Sequence, residues 1–344
     1  MRLGRKHIAA IVFALPIAGM LVAWSGMIGI DARSGHWRAT EWLLHWAMRS
    51  SVRTAAMSVT APEKLNDEAL PMVAGHFERG CAICHGSPAV ERSPATLAML
   101  PRPPDLSQVV GSWSDEELFV IIEDGVRYTG MPAWPAAGRS DEVWAMVAFM
   151  RRLPDMSAAD YRRLSTAGAE ESAAPAGVGY CQSCHAAERL SSGGQVPDLF
   201  GQSETYLLES LRAYARGDRP SGVMELAVSG MDETAMADAA RFYARRVREG
   251  TVSTVTTSEP AERGRQLAER GDPIRKIPAC DACHDGRNPR YPLIDGQPAS
   301  YIRTQLELFK AGLRGGTAHS KLMTEASRSL EPQDIEALTR HYGR

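Results

Sequence analysis

The stretch CAICH, Cys81 to His85, sets two cysteines three positions apart with a histidine directly after the second. It recurs as CQSCH at 181–185 and CDACH at 280–284, and these three copies use all six cysteines of the chain. A structural zinc centre wants four ligands, commonly two CxxC-type pairs in one small module. Here the pairs stand about 100 residues apart, so each block alone is two ligands short. A thioredoxin-like dithiol expects a βαβ context and gives no reason for the histidine. Covalent haem accounts for every element: the thiols add to the two vinyl groups of one porphyrin, and the adjoining histidine reaches the iron. The expectation is three covalently bound haem c groups, on Cys81 and Cys84, Cys181 and Cys184, and Cys280 and Cys283. His85, His185 and His284 are then the proximal ligands.

The opposite face of each iron decides between electron transfer and small-molecule chemistry. A methionine on an apolar helix face is usually core filling. Met131 stands apart, because TGMPAWP (129–135) is a loop punctuated by glycine and proline, 46 residues after His85. Met99, its rival, follows His85 by only 14. Met224 and Met323 each lie 39 residues after their histidine, across loops of unequal length. They are the expected sixth ligands of the second and third irons, with Met231 and His319 as rivals.

Outward from these motifs the patterning is helical and strand signals are nearly absent. SDEELFVIIEDG (114–125) opens with a capping box and ends at glycine, and SDEVWAMVAFMRRLP (140–154) has an acidic start and a basic finish. PDLFGQSETYLLESLRAYARG (197–217) aligns with PLIDGQPASYIRTQLELFKAG (292–312), matching Pro197 to Pro292, Gln202 to Gln297 and Tyr206 to Tyr301. The second and third blocks are therefore a duplication. Polar, Ala/Ser-rich linkers separate three small helical units, cut near 61–160, 166–250 and 258–344.

Residues 1–60 read as a membrane anchor. Ile8 to Ile30 is uncharged and, as a helix, would rise roughly 34 Å against a hydrocarbon core of ~30 Å. Arg2, Arg5 and Lys6 would keep the N-terminus cytoplasmic. That predicts a single-pass protein of the bacterial cytoplasmic membrane with periplasmic haem units. Trp37, Trp42 and Trp46, among leucines and arginines, suit an amphipathic helix in contact with lipid; the alternative is a docking surface for a membrane partner, with His36 or His45 as a ligand. The fold class expected is thus all-α, an N-terminal transmembrane helix followed by three small cytochrome c domains. Charged residues at 23% and hydrophobic ones at 44% support packed cores, and a net charge of −2 gives no pull toward nucleic acid.

At these motifs the chain resembles class I c-type cytochromes. GHFERGCAICHG and TGMPAW (75–86, 129–134) look like single-haem members with a GMP loop. Residues 166–344 resemble the tandem dihaem cytochromes of the c-four group. The resemblance implies a helical fold per haem, His/Met ligation and electron transfer without catalysis. The second block departs from it: SAAPAGVGY (172–180) spoils the long first helix, which predicts a more exposed, looser second haem. The functional expectation is a triheme relay between respiratory complexes, feeding a terminal oxidase or linking it to a quinol-oxidising complex. Alternatives are the cytochrome subunit of a membrane dehydrogenase for alcohols, aldehydes or sugars, and a haem peroxidase with one open iron.

Overall fold

A computed structural model of the chain describes residues 4–28, 35, 37–166, 178–186, 194–246 and 259–344. Regular structure among them is helical, with only isolated β-bridges, as the periodicity predicts. His36 and most of the linkers at 167–177 and 249–258 lie outside the described residues.

The expected transmembrane span does not hold. Helix α1 runs Arg5–Trp24 and stops there; Ser25 caps it, its hydroxyl donating to the Val22 carbonyl at 2.7 Å, and Gly26 turns the chain with φ of +71°. The uncharged helical part, Ile8 to Trp24, rises only about 25 Å, short of the ~30 Å hydrocarbon core. No helix among the described residues is long and apolar enough to cross a membrane. The single-pass topology and membrane localisation built on that span fall with it. Helix α2, Arg38–Ala56, leaves Trp37, Trp42 and Trp46 exposed. Its far end docks on the first unit, where Val52 and Ala56 pack against Val120 and Arg49 stacks over Trp113 at 4.2 Å.

The first unit is built from α3 (Leu70–Gly80), α4 (Asp115–Asp124), α5 (Ser140–Arg152) and α6 (Ala158–Ser165). The capping box is present: Ser114 Oγ accepts from the Glu117 N–H and the Glu117 carboxylate accepts from the Ser114 N–H. Val73, Phe77, Val147, Phe149 and Tyr161 form a core that α3, α5 and α6 close over. Each such side chain contributes roughly 1.5–3 kcal/mol by leaving water. Met72, Met146 and Met150 are buried there as filling.

The duplicates share a plan. The second unit holds α7 (Glu204–Ala215), α8 (Gly222–Val228) and α9 (Glu233–Ala244); the third holds α10 (Glu259–Arg270), α11 (Ala299–Lys310), α12 (Ser320–Ser327) and α13 (Pro332–Tyr342). In the third, α10 crosses α13 so closely that a Cβ on Gly264 would lie 2.2 Å from the Ala337 carbonyl oxygen. Only glycine permits that crossing.

In the second unit, the described residues are packed on by a neighbour. Helix α3 of the first unit covers its CxxCH turn. A Cβ on Gly75 would lie 3.0 Å from Cys184 Sγ, one on Gly80 would lie 2.9 Å from Leu226, and Arg79 stacks on the Tyr180 ring at 3.1 Å. Gln182, Ser183 and His185 are consequently buried, whereas no residue of the Ala82–His85 or Asp281–His284 turns is. Among the described residues, the second CxxCH turn is thus the most covered of the three.

Candidate haem sites

Each CxxCH motif forms a short helical turn that ends at its histidine. The three imidazoles are oriented in one way. His85 Nδ1 lies 3.0 Å from the Pro104 carbonyl oxygen, His185 Nδ1 2.9 Å from that of Pro197, and His284 Nδ1 2.8 Å from that of Pro292. A carbonyl can only accept, so each Nδ1 carries the proton and each Nε2 keeps its lone pair for a metal. Burial lowers the pKa of all three rings, against the pull of the same proline carbonyls, which favours the neutral form a ligand requires.

The sulfurs argue against the other two readings. Desolvation pushes Cys81 up to about 12, with Cys84 adding to it, and desolvation raises Cys181 and Cys280 to about 11. Redox dithiols need the opposite shift. Among the described residues no group of three or more His, Cys, Asp or Glu side chains is placed to hold a metal ion alone.

Between the second and third units lies one continuous cavity of about 1190 Å³, larger than the ~300–1,000 Å³ of a single small-molecule pocket. His185 and Met224 line it from one unit, His284 and Met323 from the other, together with Cys181, Cys184, Cys280 and Cys283. Arg219 and Arg314, 95 positions apart and equivalent in the duplication, also line it. Arg219 is buried and stacks on Tyr214 at 4.5 Å; Arg314 donates to the Tyr206 hydroxyl at 3.4 Å and stacks on Phe309 at 4.6 Å. Neither guanidinium has a carboxylate partner among the described residues. Burial raises the Tyr206 phenol, but the two cations outweigh it and bring the group down to about 8. Cationic groups awaiting an acid beside paired thiols and a neutral imidazole fit haem, whose propionates supply that acid and whose vinyl groups take the thiols.

The sixth-ligand candidates separate. Met231 packs into the second unit's core and is filling, which leaves Met224 in the cavity. His319 and Met323 both line the cavity one helical turn apart, and His319 Nε2 is buried with no hydrogen-bond partner. His85 and Met131 do not line this cavity. Met131 is half-buried in a loop closed by its carbonyl, which accepts from Val126 N–H at 3.1 Å, and Met99 Cε lies against Gly130 of that loop. His45 Nδ1 lies 3.0 Å from the Glu41 carbonyl of its own helix.

The sequence reading missed what joins the two duplicates. Gln202 donates to the Leu293 carbonyl at 2.6 Å and accepts from the Leu293 N–H at 2.9 Å. Gln297 repeats this on Asp198, with both distances 2.9 Å. Asp198 and Leu293 directly follow the prolines that orient His185 and His284. The signal was present in the aligned Gln202/Gln297 and Pro197/Pro292 pairs, but nothing in it said that each glutamine reaches across.

Residues 68–150 match the family described as Cytochrome C oxidase, cbb3-type, subunit III. A thiosulfate dehydrogenase electron acceptor of Thiomonas intermedia (strain K12) is 32% identical over 172 residues, covering 48% of this chain and 79% of that protein. A cytochrome c4 of Azotobacter vinelandii is 29% identical over 192 residues, 51% of this chain and 89% of its own length. Among solved structures, reduced cytochrome c4 from Pseudomonas stutzeri is 26% identical, covers 48% of this chain and 95% of that one, and superposes with a TM-score of 0.41.

Proposed function

We propose, from the premise that this chain belongs to the c-type cytochromes and is an electron-transfer protein like the c4 relatives it matches, that it is a triheme relay of three units near 61–160, 166–250 and 258–344. In it Cys81/Cys84, Cys181/Cys184 and Cys280/Cys283 hold three haems, with His85 and Met131, His185 and Met224, and His284 and Met323 as axial pairs. Bound haem supplies one-electron storage and release with no bond made or broken. The chain's own residues do the rest. The proline carbonyls fix the histidine tautomers, the methionines close the second coordination position, and the packed helices limit rearrangement on a change of charge. Methionine opposite histidine also raises the reduction potential relative to a second histidine. The observation that carries the reading is the shared cavity, where two CxxCH turns and two methionines of equivalent sequence position meet.

For partners, the match of residues 68–150 to an oxidase subunit family supports a terminal oxidase as acceptor. The likeness to proteins named as thiosulfate dehydrogenase electron acceptors supports a second reading, service to a dehydrogenase as its electron acceptor. Mass analysis and pyridine hemochrome of protein matured in a competent host should give three haems per chain; fewer would defeat the triheme reading. Replacing Met131, Met224 or Met323 by alanine should each remove one methionine–iron charge-transfer band, while His319→Ala should remove none. A band lost with His319 and kept without Met323 would reassign the third ligand. Rapid oxidation of the reduced chain by a cbb3-type oxidase supports the first partner, and rapid reduction by a thiosulfate dehydrogenase the second.

A further inference from the structure

The first and second units meet at a buried carboxylate. Glu142, in the first turn of α5, is 1% exposed, yet it faces the second unit and not solvent. Its Oε2 accepts from Trp134 Nε1–H at 3.0 Å and from the Gly222 N–H at 2.7 Å. Its Oε1 accepts from the Ser221 hydroxyl at 2.5 Å and pairs with the Arg139 guanidinium at 2.9 Å. Arg139 in turn donates to the Pro220 carbonyl at 2.7 Å. Burial raises the Glu142 carboxyl and the nearby Asp141 adds to this, while Arg139, Ser221 and Trp134 pull it down; the four donors on its oxygens suit the ionised form.

These donors are not scattered. Trp134 ends the loop that carries Met131, and its backbone N–H donates to the Glu123 carbonyl at 2.9 Å. Ser221 caps α8, the helix that carries Met224. Because the Ser221 hydroxyl spends its proton on Glu142, its lone pair is turned to the Met224 N–H, 3.2 Å away. One carboxylate therefore stands one residue contact from each of two methionine-bearing segments in different units.

We propose that Glu142 is a positioning residue that clamps the Met131 loop and the Met224 helix into one rigid piece, so that the sixth-ligand geometries of the first and second haems are set together and the third is set apart. This rests on the assignment of Met131 and Met224 as ligands. Replacement by glutamine keeps the shape but turns an amide N–H onto donors whichever way it lies; replacement by alanine removes the anchor altogether.

The test uses the full holoprotein in its oxidised state, with low-temperature paramagnetic resonance and the methionine–iron band resolved by haem. Each signal is assigned by the single Met131→Ala, Met224→Ala and Met323→Ala variants. In Glu142→Gln the signals assigned to Met131 and Met224 should shift together while the Met323 signal keeps its position. Trp134→Phe, which deletes one donor and keeps the ring, should give a smaller shift of the same two, and it serves where Glu142→Ala does not fold. Movement of only one signal, of none, or of all three overturns the clamp. A wild-type protein without methionine–iron bands for the first two haems defeats the ligand assignment itself, and the clamp with it. Bands present in the wild type and unmoved in the variants defeat the clamp alone.

Discussion

Two of the inter-unit junctions among the described residues are made differently. Between the second and third units the contacts are reciprocal: Gln202 grips Leu293 and Gln297 grips Asp198, each glutamine closing two hydrogen bonds on equivalent backbone. This is a self-complementary junction within one chain, of the kind a two-fold dimer makes between copies. Between the first and second units nothing repeats. A glutamate–arginine pair holds Ser221 and Gly222, and α3 covers Cys184. Neutral amides paired with backbone tolerate partial loss. A buried anion set among four donors is stable only while every partner stays. The reciprocal junction should therefore fail gradually and the charged one abruptly.

Gly222→Ala should give the largest effect. Its Cβ would lie 2.3 Å from Trp134 Nε1, and the Trp134 ring cannot retreat because it is buried and bonded to Glu142. Overpacking of this kind costs about 3 kcal/mol. Thermal unfolding of the holoprotein should show the melt of the first and second units lowered with that of the third kept in place; an unchanged first transition would show that the junction yields easily.

Gln297→Ala should cost less, about 2 kcal/mol, because it removes two hydrogen bonds to the buried Asp198 backbone. Gln202→Ala should behave alike on Leu293. If the junction acts as one clasp, the double variant loses less than the sum of the singles in a urea titration. Strict additivity would mean two independent contacts.

The same contrast explains what the sequence disclosed. Periodicity and capping located the helices, and the cysteine spacing located the three attachment turns, because those signals are local. The duplication made Gln202/Gln297 visible as a pair, though not its direction. Glu142 was legible only as an acidic residue in the first turn of a helix, where an anion favours the dipole. Its burial is set by a unit some 80 residues further along, which no local pattern encodes. The covering of Cys184 by α3 was hidden for the same reason. The N-terminal error was of another kind. Hydropathy shows how far an apolar run extends but not where the helix within it stops, and here it stops at Trp24.

The smallest expected effect lies inside the third unit, away from both junctions, and calibrates them. Asp334 is fully buried at the start of α13, where Arg275 Nη1 pairs with it at 2.6 Å and Arg263 of α10 at 2.5 Å. Burial raises its carboxyl, but the two arginines and the Glu331 N–H outweigh this and bring it from 3.8 to about 2. A carboxyl whose folded pKa lies below its unfolded one stabilises fully above about pH 4, and that contribution is lost as pH falls toward 2. Asp334→Asn should remove the same amount at neutral pH and flatten the acid limb of the third unit's stability curve, leaving the junction variants additive with it. If the Asn variant instead lowered the melt of the first and second units, the third unit would not be energetically separate from the charged junction, and the two-junction picture would have to become a single cooperative body.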